Sequence, residues 1–556
     1  MLGALLVPLG LRATDWYISP TGSEVGLGTL AQPYDLTSAL TGKLGASGDT
    51  FWLAGGTYAL GHLDTKIQGA PGEPITFRGM PGEQARIDGS LTFYQSTGNV
   101  ILRDLEIFSS DTNRLSSQTG VGFNPTDINI IPGISSYSPN MSFINLIVHD
   151  ETRHGFYLSQ MSASNLIYGC VVYNNGWASP DNAEGHGIYV QGTSGVREIS
   201  DNVVFNNSGV NLHIYENASD YHLTGVILDG DVAFNAGTLQ NVRVYRDWLV
   251  GVDPPAISAD RIVFKNNLGY CTAAFAPNDQ VQIGRYGVNG SVALLNNYLP
   301  LELEMNNWTI AAVAGNLFAA WSTGYVVWLD QSQVSLASAW NGNTYALPSN
   351  GNGFVNSADP ALSPADWQTA TGFDLNSTFS AAKLAGTKAF IRTNRFESGR
   401  ANIIVYNWDN LTNVQVDVSS VLLPGAAYEV RNVEDYFGGP ILSGLYDGKP
   451  LNLPMTGLTV AAPTAPLLTA PATGPTFNVF VLLPRSTGLQ AALVSGQAQV
   501  SWPTNAGDWV LQSNSSLSNG SAWSDVAIPG ITVGNRYVVT APLTQSSGFY
   551  RLRAAP

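Results

Sequence analysis

Three short runs occur in close succession in the sequence: Gly187-Ile-Tyr-Val-Gln191, Val196-Arg-Glu-Ile-Ser200 and Val203-Val-Phe205. The residues between them are Gly192-Thr-Ser-Gly195 and Asp201-Asn202. Runs rich in β-branched and aromatic residues predict β-strands, and clusters of Gly, Ser, Asp and Asn predict turns. The segment therefore predicts three short strands that turns connect into one coil.

The same pattern recurs at intervals of roughly 30 residues, which is typical of repeat architectures. The recurring first strands are Gly155-Phe-Tyr-Leu-Ser159, Asn211-Leu-His-Ile-Tyr215, Asn241-Val-Arg-Val-Tyr245 and Val281-Gln-Ile283. Each strand alternates with period two, so one set of side chains should stack inside the coils. This predicted inner set is Phe156, Leu158, Ile188, Val190, Leu212, Ile214, Val242, Val244, Val281 and Ile283.

A second regularity is the residue that enters the third strand of each coil. In seven coils it is Asp104, Asn145, Cys170, Asn202, Asp231, Asn267 and Asn297. Polar side chains stacked at one turn can bond buried backbone groups that would otherwise lack partners. We therefore predict a polar ladder along a parallel β-helix, with Cys170 as one interrupted rung.

Length and composition agree with this all-β prediction. A chain of 556 residues is too long for one ordinary core, whereas a solenoid grows by adding coils. The net charge of −16 and the absence of a Lys/Arg cluster from the sequence argue against a nucleic-acid partner. The two cysteines, Cys170 and Cys271, have no metal-ligand spacing and are predicted to be buried structural thiols.

The three-strand coil, the ladder and the opening segment Trp16-Tyr-Ile-Ser-Pro-Thr-Gly-Ser23 resemble the pectate-lyase-like superfamily. Phe51-Trp-Leu-Ala-Gly-Gly-Thr-Tyr58 and Ile75-Thr-Phe-Arg-Gly79 are similar to its N-terminal coils. The resemblance implies a right-handed parallel β-helix that acts on polysaccharides. One fold supports many reactions, so the chemistry must come from the site.

The predicted domain organisation has four parts. Residues 1–14 resemble a signal peptide, which favours a secreted, periplasmic or cell-surface bacterial protein without a membrane span. Residues 15–375 form the β-helix, and residues 386–485 form an accessory antiparallel β-sandwich. Residues 486–556 form a small β module that resembles one in secreted proteins of Verrucomicrobia-like bacteria. The layout favours a monomer.

In the superfamily that the chain resembles, substrate lies along the outer face of the first sheet. Two outward columns are predicted there: Tyr157, Tyr189, His213, Arg243 and Gln282, and then Ser159, Gln191, Tyr215, Tyr245 and Gly284. Successive coils lie about 4.8 Å apart, so the columns form a continuous strip suited to sugar rings and hydroxyls. The predicted substrate-binding residues are His154, Tyr157, His186, Tyr189, Gln191, Tyr215, Arg243, Tyr245 and Arg285.

The loops that enter this sheet carry acids, which favours glycoside hydrolysis by a carboxylate pair. Carboxyl groups about 5 Å apart give retention, and groups about 6.5–9.5 Å apart give inversion. One or two steps along the coils span these separations. The predicted catalytic residues are Glu151, Asp181, Glu184, His213, Glu216 and Asp247.

Elimination from a uronic acid polymer is the alternative reaction. It needs a base, here His213, Tyr189 or Tyr215, and a cation that neutralises the sugar carboxylate, here Arg243 or Arg285. Many enzymes of the resembled superfamily use Lys or Arg with Ca²⁺ held by aspartates. The first strands carry no aspartate cluster, and Lys265 is the only lysine of the central coils.

Two further alternatives remain open from the sequence. His154 and His186 occupy equivalent positions in neighbouring coils and could bind Zn²⁺ with a loop carboxylate. No cofactor is the preferred expectation, with Ca²⁺ or Zn²⁺ as alternatives. A non-catalytic β-helix that only binds glycan is the second alternative to a hydrolase.

Overall fold

The structure is a computed structural model. It describes residues 13–272, 281–320, 324–331, 337–357, 361–485, 489–494, 497–503, 509–514, 523–533, 536–542 and 549–554. The predicted signal peptide lies outside these ranges apart from its last two residues. Among the helices within these ranges, none is long and apolar enough for a membrane crossing.

Most of the chain winds into a right-handed parallel β-helix with three faces, which confirms the predicted all-β class. The first face contains Gly56–Thr65, Ala85–Phe93, Ile134–Ser136, Phe156–Leu158, Ile188–Val190, Leu212–Glu216, Trp248–Val252, Val281–Ile283, Leu303–Asn306, Val327–Asp330 and Phe354–Asn356. The second face contains Asp15–Ile18, Thr50–Leu53, Ile75–Gly79, Val100–Arg103, Met141–Ile144, Leu166–Tyr168, Arg197–Ser200, Leu223–Asp229, Ala259–Lys265, Asn289–Leu295, Trp308–Ala314 and Ala337–Asn341. The third face contains Glu106–Phe108, Ile147–His149, Val171–Tyr173, Val203–Phe205, Val232–Phe234, Leu268–Tyr270, Tyr298–Leu299, Leu317–Ala319, Thr344–Ala346 and Thr378–Ser380.

The two long strands Gly56–Thr65 and Ala85–Phe93 turn the corner between faces, and Ala85–Phe93 pairs with strands of both. In later coils this corner opens into loops, and the hairpin Trp177–Ala178 with Ala183–Glu184 stands on one of them. The short helices are Leu36–Leu40 and Pro364–Thr371, with a 3₁₀ turn at Val433–Asp435.

The alternating pattern is the reason why the coils stack. Phe156, Leu158, Ile188 and Val190 are fully buried and belong to one continuous core. Tyr157 pairs with Tyr189 in register, so every outward position also repeats from coil to coil. Both cysteines are buried free thiols.

The polar ladder is confirmed from Cys170 onward. The backbone N–H of Cys170 donates to Asn202 at 2.9 Å, and that of Asn202 donates to Asp231 at 2.9 Å. The series continues through Asn267 and Asn297 and then through two unpredicted rungs, Asn316 and Asn343.

The predicted alignment of Asp104 and Asn145 with this ladder was wrong by one residue. Both have positive φ, at 57° and 55°, and occupy the turn position that Asp201 and Asn266 occupy in later coils. The ladder position in their coils holds Leu105 and Leu146, because the third strands start at the next residue.

The predicted first strand at 241–245 was also wrong. The strand is Trp248–Val252, which pairs in register with Leu212–Glu216 and buries Trp248 and Val250. Val244 is 74% exposed on a loop. Gln240 accepts hydrogen bonds from the backbone N–H groups of Val242 and Arg243, which makes this segment a turn.

An antiparallel domain follows the β-helix. One sheet contains Thr387–Thr393, Ala401–Asn407, Phe477–Pro484, Ala427–Asn432 and Leu442–Leu445, and the other contains Asn413–Val416 and Leu451–Pro454. This sandwich packs on the third face of the β-helix through one apolar cluster that includes Phe234, Tyr270 and Phe477. The Tyr406 hydroxyl donates to the Gly269 carbonyl at 2.9 Å across this interface.

The last module contains two small antiparallel sheets. One holds Gln490–Val494, Gln497–Pro503, Arg536–Pro542 and Ile531–Val533, and the other holds Ser524–Asp525, Trp509–Asn514 and Phe549–Ala554. Arg536 pairs with Glu83 of the β-helix at 2.9 Å.

Replacing one ladder residue should destabilise the whole protein. In Asn267→Ala, the buried N–H of Asp231 and the carbonyl of Leu228 lose their partner, which should cost about 1–3 kcal/mol of unfolding free energy. Urea denaturation of the full chain would measure this loss. The exposed Asn413→Ala is the control and should leave the midpoint unchanged, and equal effects of the two substitutions would contradict the ladder's stabilising role.

Candidate active site

A cavity of about 440 Å³ lies over the first face, and several of the corner loops contribute to its lining. Tyr189, His213, Tyr215 and Leu249 come from three successive strands and line it. The walls come from loops and include Glu184, His186, Arg243, Tyr245, Asp253 and Arg285. Loops on a rigid sheet are where binding residues are commonly found, so this cavity is the candidate site.

Two stacked histidines below the cavity are held in one neutral tautomer. His154 Nδ1 accepts from the backbone N–H of His186, and His186 Nδ1 accepts from the backbone N–H of Val210, both at 3.0 Å. An imidazolium has no acceptor nitrogen, so both rings must be neutral with the proton on Nε2. Gly209 permits the contact, because a Cβ there would lie 2.6 Å from His186 Nδ1.

Burial and nearby cations both lower the pKa of these two imidazole rings. The pKa of His154 lies well below its ordinary value, mainly because of burial and then because of His186 and Arg153. Burial, followed by Arg153 and Arg243, lowers the pKa of His186 to about 3. The two side chains are therefore N–H donors and not proton acceptors at neutral pH.

His213 differs from its two neighbours. Within the described part of the chain, neither of its ring nitrogens has a hydrogen-bond partner, although the ring is almost fully buried. The ring stacks on Tyr189 and Tyr215 at centroid distances of 4.7 and 4.6 Å. Burial, with His186 and Arg285, holds its pKa well below the ordinary value. His213 is thus a neutral imidazole whose two buried ring nitrogens both lack a hydrogen-bond partner among the described residues.

The Tyr189 hydroxyl keeps its proton for a ligand. The Tyr157 hydroxyl donates to Gln191 Oε1 at 2.7 Å, and Gln191 Nε2 donates to the Tyr189 oxygen at 3.2 Å. Tyr189 accepts in this chain, so its own O–H can point elsewhere. Burial raises the pKa of Tyr189, which keeps the hydroxyl protonated at neutral pH.

Two arginines bring positive charge without a carboxylate partner in the described residues. Arg243 donates to Asn182 Oδ1 at 2.8 Å and lies over the rings of Phe123 and Tyr245. Arg285 lies over the ring of Tyr215 at 5.9 Å. Unpaired guanidinium groups in a cavity can bind a carboxylate through two parallel hydrogen bonds.

Arg243 and Tyr245 were predicted on the first sheet face, and that placement was wrong. Leu249 and Gly251 pair with His213 and Tyr215 in register. The loop nevertheless carries both residues to the cavity, and Tyr245 donates its hydroxyl proton to the Ala183 carbonyl.

The six acids and bases predicted as catalytic are not gathered in one place. His213 and Glu184 line the cavity, and Glu184 Oε2 lies 3.4 Å from Arg153 Nη2. Burial raises the pKa of Glu184. Glu216 Oε1 accepts hydrogen bonds from Gln160 Nε2 and from the N–H groups of Asn217 and Ala218, so this carboxylate caps a turn.

The other three predicted acids, like Glu216, lie outside the cavity lining. Glu151 lines a second cavity of about 420 Å³ near His62 and Asp88. Asp181 accepts from the N–H of Gly120 at 2.7 Å and holds that loop. Asp247 is buried and accepts from Asn211 Nδ2 at 2.7 Å and from the N–H of Ala236 at 2.9 Å.

Asp253, Asn217 and Phe123 also line the cavity and were missed. Asp253 directly follows the strand Trp248–Val252, so the wrong strand assignment at 241–245 hid it. The sequence signal that could have found it is the alternation of Trp248-Leu-Val-Gly-Val252. Phe123 lies in a long loop whose position no local pattern predicts.

The cavity does not fit a resident Ca²⁺ or Zn²⁺. The described residues include no group of three or more His, Cys, Asp or Glu side chains that could hold a metal ion. The cavity has two carboxyl groups, of Glu184 and Asp253, and its fixed His186 offers an N–H instead of a lone pair.

The chain is thus a right-handed parallel β-helix with an aromatic, polar cavity over its first face. Residues 16–247 match the family described as Pel9A-like, right handed beta helix region. This match over the first coils supports the resemblance to the pectate-lyase-like superfamily that the opening segment and the ladder indicated.

Solved structures to which this chain is similar include pectate lyase Pel9A, a GH136 lacto-N-biosidase from Eubacterium ramulus and a rhamnogalacturonan lyase. Their sequence identities to this chain are 14%, 10% and 16%, with TM-scores of 0.37, 0.43 and 0.39. The alignments cover 64%, 66% and 66% of this chain and 83%, 68% and 87% of the other chains. No curated protein matches the sequence.

The placement of Asp247 predicts a pH-dependent stability. Burial raises the pKa of Asp247 from 3.8 to about 7, so the folded protein holds this proton over a range where the unfolded chain releases it. The folded state of the wild type should therefore lose stability as pH rises through this window, by on the order of 4 kcal/mol at most.

Asp247→Asn cannot titrate and should become more stable relative to the wild type as pH rises. Urea denaturation at a series of pH values measures the difference. Asp220→Asn, at an exposed position, is the control. A difference in unfolding free energy between Asp247→Asn and the wild type that does not change with pH would contradict the raised pKa of Asp247.

Proposed function

We propose that the protein is a polysaccharide lyase that cleaves a uronic acid polymer by β-elimination. The observation that carries the proposal is the combination of three features around one cavity: neutral His213, protonated Tyr189, and the guanidinium groups of Arg243 and Arg285, which have no carboxylate partner among the described residues. These groups supply a base, an acid and a carboxylate-binding cation, which are the three requirements of this reaction.

In this mechanism Arg243 and Arg285 bind the sugar carboxylate and stabilise the negative charge that develops on it. His213 takes the proton from the carbon next to the carboxylate. The electron pair of that C–H bond forms the new carbon–carbon double bond, and the bond from the adjacent carbon to the glycosidic oxygen breaks. Tyr189 gives its proton to the leaving oxygen, and exchange with water restores both side chains.

The lowered pKa of His213 leaves its imidazole deprotonated and able to accept a proton at neutral pH. A base with a lowered pKa is deprotonated at neutral pH, and the negative charge of a bound uronate raises its proton affinity when substrate arrives. His186 cannot replace it, since its Nδ1 is occupied by a backbone N–H.

Glycoside hydrolysis is the second candidate, as favoured by the sequence. Its support is that two carboxyl groups, of Glu184 and Asp253, line the same cavity, and that the raised pKa of Glu184 suits a general acid. The two reactions differ in product, because elimination alone creates an unsaturated uronate.

The test is an activity screen of the full chain on polygalacturonate, alginate and a neutral galactan, with and without EDTA. Reducing ends and the ultraviolet absorbance of unsaturated uronates are recorded together. We expect both signals on an anionic polymer and no effect of EDTA, since arginines perform the neutralisation. Reducing ends without the chromophore would contradict elimination and support the hydrolase, and silence on every polymer would favour a glycan-binding protein.

Two substitutions assign the roles. His213→Gln should lower kcat for elimination by about 10²–10⁴-fold, the usual contribution of a general base. Glu184→Gln should change kcat by less than about tenfold, because elimination does not use this carboxyl as an acid. The control is His222→Gln, at an exposed position, and a larger loss in Glu184→Gln than in His213→Gln would reverse the choice of reaction.

A further inference from the structure

A row of tyrosines leads away from the candidate cavity toward the N-terminal coils. Tyr94 and Tyr137 each follow a strand of the first face, and these strands pair in register, so the two rings sit on adjacent coils. Their rings stack at 5.6 Å with an interplanar angle of 17°. Neither residue belongs to the predicted site.

The row is continuous with the cavity. The ring of Tyr137 lies 5.8 Å from that of Tyr157, and Tyr157 lies 5.5 Å from Tyr189, which lines the cavity. Tyr189 in turn stacks on His213. One aromatic ring therefore follows another over successive coils up to the base of the proposed reaction.

The row of Tyr94, Tyr137 and Tyr157, called the tyrosine track below, is accessible to solvent, and its outermost ring is that of Tyr94. Tyr94 is 46% exposed, and Tyr137 and Tyr157 are half-buried on the outer face. A tyrosine at a surface offers a flat apolar face and a polar tip, which suits the C–H faces and hydroxyls of a sugar. A contiguous exposed row of this kind indicates an interaction surface.

The charge beside the track points to an anionic partner. Arg153 is half-buried, and its positive charge acts on both Tyr137 and Tyr157. Its nearest carboxyl group among the described residues, that of Glu184, is 3.4 Å away, and neither Arg153 Nε nor Glu184 Oε2 has a hydrogen-bond partner there. The track thus combines ring faces with a cation at its junction with the cavity.

We propose that Tyr94, Tyr137 and Tyr157, with Arg153, bind a further stretch of an anionic polysaccharide on the N-terminal side of the cavity. The inference rests on the proposed function for the identity of the polymer. It adds that recognition extends over several sugar residues to one side, so that long chains bind better than short ones.

The opposite side of the cavity provides a matched comparison. There the outward column continues through Gln282 and Glu304, and Glu304 is paired with Arg246 at 3.3 Å. The next outward residue is Trp328, which is 38% exposed. Trp328 is an exposed aromatic residue on the same face, separated from the cavity by polar side chains.

The test uses the full chain with the double substitution Tyr94→Ala/Tyr137→Ala. Affinity electrophoresis in gels that contain polygalacturonate or alginate measures binding without turnover. We expect the apparent affinity to fall about tenfold or more, since two stacking platforms are lost. Tyr94→Phe/Tyr137→Phe should retain most of the affinity, and Trp328→Ala should retain all of it. Thermal melting checks that each variant is folded.

Kinetics give the second readout. For the polymer, KM should rise about tenfold in the double alanine variant with kcat unchanged, because only binding far from the reacting bond is lost. For trigalacturonate or trimannuronate, which we expect to bind in the cavity alone, both constants should equal those of the wild type.

The outcomes separate this inference from the proposed reaction. Loss of gel retention in the alanine variant without any elimination by the wild type would support the track and contradict the lyase. Elimination with an unchanged KM and unchanged retention in the alanine variant would support the lyase and overturn the track. A wild type that neither polymer retains, or an equal loss in Trp328→Ala, would also overturn it.

Discussion

The in-register stacking of parallel coils is the constraint on which the rest of this structure depends. At the inner corner between the second and third faces, backbone N–H groups are buried, and the stacking requires hydrogen-bond acceptors for them. Asn202, Asp231, Asn267 and their successors supply these acceptors, because each side chain accepts from the backbone of the preceding coil. Once this corner is fixed, every outward position repeats, and rows of side chains such as Tyr157 and Tyr189 become possible.

The same repetition explains why three histidines on neighbouring coils differ in their hydrogen bonds. His154 and His186 lie one coil apart, and each accepts a backbone N–H from the following coil, which fixes the neutral tautomer. His213 lies within a strand of the first face, and neither of its ring nitrogens has such a partner in the described residues. Register, and not residue type, separates a structural imidazole from a candidate base.

Periodicity predicted the fold because it records a backbone repeat that every coil shares. It predicted Tyr189, His213 and Tyr215 on one face for the same reason. It failed at Asn241–Tyr245, where a loop happens to alternate like a strand, and the choice depended on the burial of Trp248. Periodicity also could not show which acids line the cavity. The groups that donate hydrogen bonds to Asp181 and Asp247 come from segments distant in sequence.

The negative net charge of the protein limits how an anionic polymer could bind to it. A protein of net charge −16 repels a polyuronate at long range, so long-range attraction cannot supply the affinity. Binding must come from contacts shorter than the Debye length of about 8–10 Å, where Arg243 and Arg285 lack carboxylate partners among the described residues. Stacking on uncharged rings is insensitive to the repulsion, so an aromatic track beside a cavity with two such arginines is consistent with the proposed binding of an acidic polymer by an acidic protein.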